Sequence, residues 1–377
     1  MAIYWRQAGD TTKEREYAIL AGDQLLNTFA LDEAPEYYQR ALELTAEDTL
    51  QYLNLLIKLS GVYSLSDFQK AKPVLEHAIE LGQKLDAKSS LAQAYANLGR
   101  MAMLRDGDWN TSERHLQQAL SYIRQTENKA VLAGVLRQLG NLGIYISDWD
   151  MAEKYLQESI QHAEEIDDAY LRGMAINSLS DAYAKRNEGD DHDRAIELSL
   201  QTRDIGRDLG HRRLVMMGIA HIGLVALHRH DYALAYQQFA EAYEITRQIR
   251  DYEQFGKVAN YVGICFLGLH DYDRAKETFR EALEISRDNK SIPEVIRSLT
   301  GIALTWIAEG KQDDALCLLA LTLNESRCNT ETHALADATY AELQTQFAPE
   351  RCEDLKATGQ ALSIEAVAQK MLETMSL

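Results

Sequence analysis

Eight small residues recur along this chain at an almost constant interval: Ala34, Ala71, Ser112, Ala152, Ala195, Ala235, Ala275 and Ala315, at steps of 37, 41, 40, 43, 40, 40 and 40. A fixed period of that size is the mark of one supersecondary unit stacked on copies of itself, because such a unit cannot bury its apolar face alone. It constrains the fold more than length does: 377 residues would otherwise suggest two or three globular domains.

The unit is clearest late in the chain. From Val262-Gly263 it runs through Asp271-Tyr272 to Ala275, Phe279, Ala282 and Leu283; one copy earlier the same steps give Ile222-Gly223, Asp231-Tyr232, Ala235, Phe239, Ala242 and Tyr243. Leu139-Gly140 with Trp149, Ala152 and Leu156, and Leu98-Gly99 with Trp109, Ser112 and Leu116, repeat the pattern. Apolar residues fall three and four apart on both sides of the Asp-aromatic pair, which predicts two helices joined by a polar turn such as Leu269-His270-Asp271. The Asp is placed to cap the second helix. Gly in the first helix and Ala in the second let the backbones approach, with the aromatic filling the space beside them. Copies two and five depart: Leu59 stands where Gly is expected, and Asn187–His192 replaces the tight aromatic turn.

These residues resemble the tetratricopeptide repeat: the Leu-Gly pair, the aromatic before the turn, and Ala…Phe…Ala in the second helix match its consensus from about Glu14 to Arg327. The unit here is near 40 residues rather than the standard 34, as in long-repeat variants of bacterial signalling proteins, and the closing proline is missing. The resemblance implies an all-α, right-handed α-solenoid of about eight helical hairpins, with the array over residues 1–330 and a helical cap over 331–377 that includes a distinct element after Pro349. With four prolines, at 35, 73, 293 and 349, and no sustained strand alternation, long helices and no strands are expected. Arg186–Asp193 reads as the softest joint.

A net charge of −19 argues against nucleic acid and anionic membranes as partners, since phosphates demand a basic stripe. No apolar run approaches a membrane span, and the N-terminus lacks the pattern of a signal peptide, so a cytoplasmic location is expected. Cys265, Cys317, Cys328 and Cys352 have no metal spacing and read as small buried hydrophobes in a reducing compartment. Gly256-Lys257 and Gly310-Lys311 lack the remainder of a P-loop. His228-Arg229-His230 has no third ligand nearby, and Asp190–Asp193 lacks the twelve-residue calcium loop. Adjacent acids such as Glu164-Glu165 read as a solvated helix end, and no nucleophile stands in a catalytic motif. A protein that is not an enzyme, without cofactor or metal, is expected.

The informative positions are those on each first helix that point away from the second, three before, one after and four after the motif glycine. They include Arg100, Arg137, Asn141, Asn177 and Asp181 in the middle copies, and Leu224, Leu227, Asn260, Ile264 and Leu267 in the later ones. In tetratricopeptide arrays this face lines the concave groove. The expected groove is therefore split into a polar section and an apolar one. An extended or helical polypeptide would lie along it, or a small-molecule inducer would occupy it. Arg100 and Arg137 would hold acidic groups, and Asn141, Asn177 and Asn260 backbone amides. The alternatives are that superhelical curvature buries these residues or that the register is off by one.

Both ends carry a second resemblance. Tyr4–Asp10, Tyr17-Ala18-Ile19-Leu20-Ala21-Gly22-Asp23 and Phe29–Ala34, with Phe347–Glu350 and Gly359–Ala366, look like the ends of the C-terminal arrays of bacterial STAND signal-transduction ATPases, including MalT-like regulators. That likeness implies a sensor array attached to an ATPase, released when a ligand binds. The other reading is a free-standing adaptor that kept the sensor's ends; the abrupt start favours an excised sensor. Pro35 directly after Ala34 is unusual for that family but tolerable in a first helical turn.

Overall fold

The structure is a computed structural model and describes residues 1–27 and 31–374; Phe29 and Ala30 of the opening motif lie outside the described residues. Among the described residues there are α-helices, one π-helical turn and no strand. A short α1 (Ala2–Ala8) precedes eight antiparallel pairs. They are α2 (Thr11–Asn27) with α3 (Ala34–Glu43), α4 (Leu50–Ser66) with α5 (Phe68–Lys84), and α6 (Lys88–Met101) with α7 (Trp109–Ile123). Next come α8 (Lys129–Tyr145) with α9 (Trp149–Glu165), α10 (Ala169–Arg186) with α11 (Asp191–Asp208), and α12 (Arg212–His228) with α13 (Tyr232–Ile249). The last pairs are α14 (Tyr252–Gly268) with α15 (Tyr272–Asp288) and α16 (Ile292–Ala308) with α17 (Gln312–Asn324). The π-helical turn, Ala102–Asp106, extends α6. Then follow α18 (Thr330–Gln344), α19 (Pro349–Gln360) and α20 (Ile364–Thr374).

The periodic small residues sit where second helices meet first helices, and all eight are fully buried. A Cβ on Gly263 would lie 2.7 Å from the Phe279 ring, so the ring occupies the space the glycine leaves. Phe279 itself is wholly buried, and full burial of such a side chain contributes about 1.5–3 kcal/mol. Asp108, Asp148, Asp231 and Asp271 accept from the backbone N–H of Thr111, Met151, Leu234 and Arg274 at 2.9, 3.0, 3.0 and 3.2 Å, the expected caps.

Three of these turns are also closed from the preceding helix. His270 is left-handed (φ 59°), its N–H reaches the Leu267 carbonyl at 3.0 Å, and the Asp271 N–H reaches the Phe266 carbonyl at 2.9 Å. This pair of bonds satisfies carbonyls that a helix end would otherwise leave orphaned. Ser147-Asp148 and His230-Asp231 repeat the arrangement. The turn in copy five, expected to be the softest joint, is instead pinned. Buried Asp191 receives two bonds of 2.7 Å from Arg186 and one of 3.0 Å from the Glu188 N–H. The chemistry of the aromatic turn is replaced there by a bidentate ion pair.

The opening motif has a packing role. Gly22 lies against the ring of Tyr38, and the hydroxyl of Tyr38 donates to Asp23 at 2.6 Å. Lys58 donates to the same carboxylate at 2.6 Å, so Asp23 ties α2 to both α3 and α4. At the other end Leu355, Ile364, Val367 and Leu372 share one apolar core with the later hairpins.

The array bends far enough to meet itself. Arg105 in the π-helical turn donates to the carbonyls of Asn289 at 2.7 Å and Ser64 at 3.2 Å. Ser291 donates to the Leu104 carbonyl at 2.9 Å, and the hydroxyls of Ser147 and Thr330 lie 2.7 Å apart. Apart from Arg105 and Ser64, these partners are separated by 183 to 187 residues, so copies three and four touch the end of copy seven and the elements after it. Gly107 abuts Arg327: a Cβ there would stand 2.6 Å from the Arg327 carbonyl oxygen, and φ is +63°. The concave face is thereby closed along a seam.

Candidate functional site

The first helices of copies three to seven line a partly open cavity of about 290 Å³. Arg100 on α6, Arg137 and Asn141 on α8, Asn177 and Asp181 on α10, and Leu224 on α12 all line it. The face selected by counting from the motif glycine thus brings six of ten candidate positions to one place. The other four lie elsewhere. Asn260 is fully buried and committed to the contact with the next unit: its amide nitrogen donates to Glu294 Oε2 at 3.2 Å, and its oxygen accepts from Ser298 at 2.9 Å, both on α16. Leu227 is buried in the main core, with Ile264 and Leu267 packed against it. The apolar section is therefore not a continuation of the polar one, because curvature folds it into the packing between units.

The cavity has a second basic wall that counting from the glycine missed. Arg213, at the start of α12, and Lys257 on α14 face the chamber. Arg213 Nε is held by buried Asp251 at 2.6 Å. Lys257 falls six before its motif glycine and Arg213 ten before, so both sit outside the positions counted. Opposing walls become visible only once the array curves.

Between the two walls Asp181 accepts from Lys185 at 3.0 Å, and His221 Nε2 stands 3.5 Å from its other oxygen. Burial opposes ionisation of Asp181, but Lys185, Lys257 and His221 outweigh it and hold the carboxyl well below the usual range. Burial lowers the His221 imidazole to about 4, against the opposing pull of Asp181, so it is neutral at pH 7. The buried atoms on lining side chains that have no hydrogen-bond partner include Asn177 Oδ1, Asp181 Oδ1 and His221 Nδ1, on residues 3%, 9% and 7% exposed.

The remaining sequence candidates are absorbed by structure. His228 Nδ1 meets the Ala184 carbonyl at 2.7 Å, and His230 pairs with Tyr232 at 3.1 Å. Among the described residues no three His, Cys, Asp or Glu side chains are gathered to hold a metal. Cys265 and Cys328 are buried, which pushes each thiol up to about 12, whereas Cys317 and Cys352 are only half-buried. None of the described helices is long and apolar enough to cross a membrane.

Residues 213–288 match the tetratricopeptide repeat family, and residues 97–181 match the family of anaphase-promoting complex subunit 5. No curated protein is significantly similar to the chain. Among solved structures, a Rap protein complexed with competence and sporulation factor is similar at 14% identity and a TM-score of 0.61, covering 91% of this chain and 99% of that one. A STAND protein with a tetratricopeptide repeat sensor from Pyrococcus horikoshii aligns at 15% identity and a TM-score of 0.49, over 91% of this chain and 55% of that one. The repeat match, the hairpin geometry and the first of these likenesses agree: the molecule is a tetratricopeptide-repeat array.

Proposed function

We propose that this array is a non-enzymatic sensor module that takes an anionic ligand into the cavity at its centre. The carrying observation is the convergence of Arg100 and Arg137 from one side and Arg213 and Lys257 from the other on a chamber that also presents Asn141 and Asn177. Basic side chains around a partly desolvated space favour carboxylate or phosphate, and focus the field on whatever enters. The residues at both ends of the chain support attachment to a STAND-type ATPase. In that setting ligand would act by population shift, preferring the array state that releases the ATPase.

The test is a thermal-shift screen of acidic peptides and small anions against the wild type and the double variant Arg137→Ala/Asn141→Ala. At least one ligand should raise the melting temperature of the wild type and not that of the variant, with equal melting temperatures in the absence of ligand. Equal stabilisation of both proteins would remove the cavity from the reading. An antibody against this segment, used on native extract, tests the attachment: a polypeptide far larger than 42.6 kDa is expected, and one of this size would leave a free-standing adaptor.

A further inference from the structure

We infer that the ligand of the central cavity is a compact polyanion carrying hydroxyl or amine hydrogens between its charged groups, and not a long polypeptide. The inference rests on the sensor reading and narrows it.

Three observations carry it. The first is closure. The π-helical turn packs on α16 and α4 meets α14, so the array closes around a cavity of about 290 Å³ that stays partly open to solvent but does not run the length of the solenoid. A volume of that order suits a small molecule. The apolar stretch that would have anchored a helix, Leu227, Ile264 and Leu267, lies in or against the core and outside the cavity lining.

The second is charge. The lining side chains include four basic groups and one carboxylate, in a chain whose net charge is −19. The basic groups come from four different helices, α6, α8, α12 and α14, on two opposed walls. Two separated anionic groups on one molecule engage both walls; a single carboxylate engages one.

The third is the set of buried acceptors between those walls. Asn177 Oδ1 and Asp181 Oδ1 each present a lone pair, and His221 Nδ1 presents another in the tautomer that carries its proton on Nε2, the nitrogen nearer Asp181. A buried polar atom without a partner is costly, so these positions favour a ligand that donates O–H or N–H bonds there. Pyrophosphate offers at most a single acidic P–OH at neutral pH and no alcohol or amine hydrogens, and neutral sugars lack the charge.

Isothermal titration of the intact chain with fructose 1,6-bisphosphate and citrate, with pyrophosphate and trehalose as controls, tests this. The bisphosphate or citrate should bind, and binding should weaken steeply with salt, as expected for several charge contacts. The control trehalose should not bind. Arg137→Gln and Lys257→Gln, on opposite walls, should each reduce affinity roughly tenfold or more, consistent with loss of a charged hydrogen bond. The variant Asn177→Ala should weaken the hydroxylated ligands several-fold while leaving pyrophosphate unchanged. Should Asn177→Ala lower the melting temperature, His221→Phe reads the same discrimination from another of these acceptors. If acidic peptides bind in a manner sensitive to Arg137→Ala/Asn141→Ala while no small polyanion does, this inference falls and the sensor reading stands. If neither class binds, both fall. Tighter binding of pyrophosphate than of the hydroxylated anions would overturn the donor argument, and carboxylate and phosphate sources are separated by citrate against the bisphosphate.

Discussion

His221 is a buried base whose proton affinity is set by the fold. Burial lowers it from the ordinary 6.5 to about 4, with Asp181 pulling the other way and Lys257 and Lys185 reinforcing the shift. The unfolded chain therefore takes up a proton first as pH falls. The stability this site contributes is complete above about 6.5 and is lost between there and about 4. Denaturant titrations across that window should show stability falling toward acid, with His221→Gln flattening that part of the profile; an unchanged profile would show that another group governs it. Backbone strain offers a second prediction at this scale. Exposed Asp167 holds a left-handed φ of 53°, a region that costs most side chains about 1 kcal/mol or more. Asp167→Gly should raise stability by roughly 0.5 kcal/mol, after the entropy of a more flexible unfolded chain is set against it. Neither value was legible in the sequence: a left-handed His, Ser or Asp at a turn looks like any polar loop residue.

At the scale of the helix and its turn, the sequence was most readable. The Asp before each aromatic, the glycine in the first helix and the alanine in the second all act within one hairpin, through contacts a few residues apart in a repeating register. Asp231→Ala removes a bond of 3.0 Å to the Leu234 N–H and should cost about 1 kcal/mol in chemical denaturation. Gly263→Ala places a methyl 2.7 Å from a ring that is itself fully buried, and should cost about 1–3 kcal/mol. Gly61→Ala, where a Cβ meets nothing within 4 Å, should instead gain about 0.5–1 kcal/mol from helix propensity, and an equal cost at both positions would show that packing on the ring is not the cause. Copy five shows where such reading stops. Arg186 and Asp191 were visible as charges in an eroded turn, but their bidentate pairing depends on the direction in which two helix ends present them.

For the whole molecule the decisive feature is the seam, where the π-helical turn of copy three meets the Asn289–Ser291 turn. Arg105→Ala deletes two hydrogen bonds to carbonyls, one buried and one partly buried, and should lower stability by about 2–3 kcal/mol, with faster amide exchange at Asn289–Ser291 and a larger radius of gyration in solution scattering. Loss of stability with unchanged dimensions would mean that closure does not depend on this contact. Because the seam bounds the chamber, opening it should also weaken whatever the chamber holds. By itself the sequence determined the repeat, the hairpins, their caps and the face of each first helix that turns inward, since all of these follow from local periodicity and small-residue packing. Only the tertiary structure decided that this face closes into a chamber, that Arg213 and Lys257 oppose Arg100 and Arg137, and that Asn260, Leu227, Ile264 and Leu267 fall outside its lining. Small rotations between successive units accumulate over more than 180 residues before the ends meet, and no local pattern records their sum.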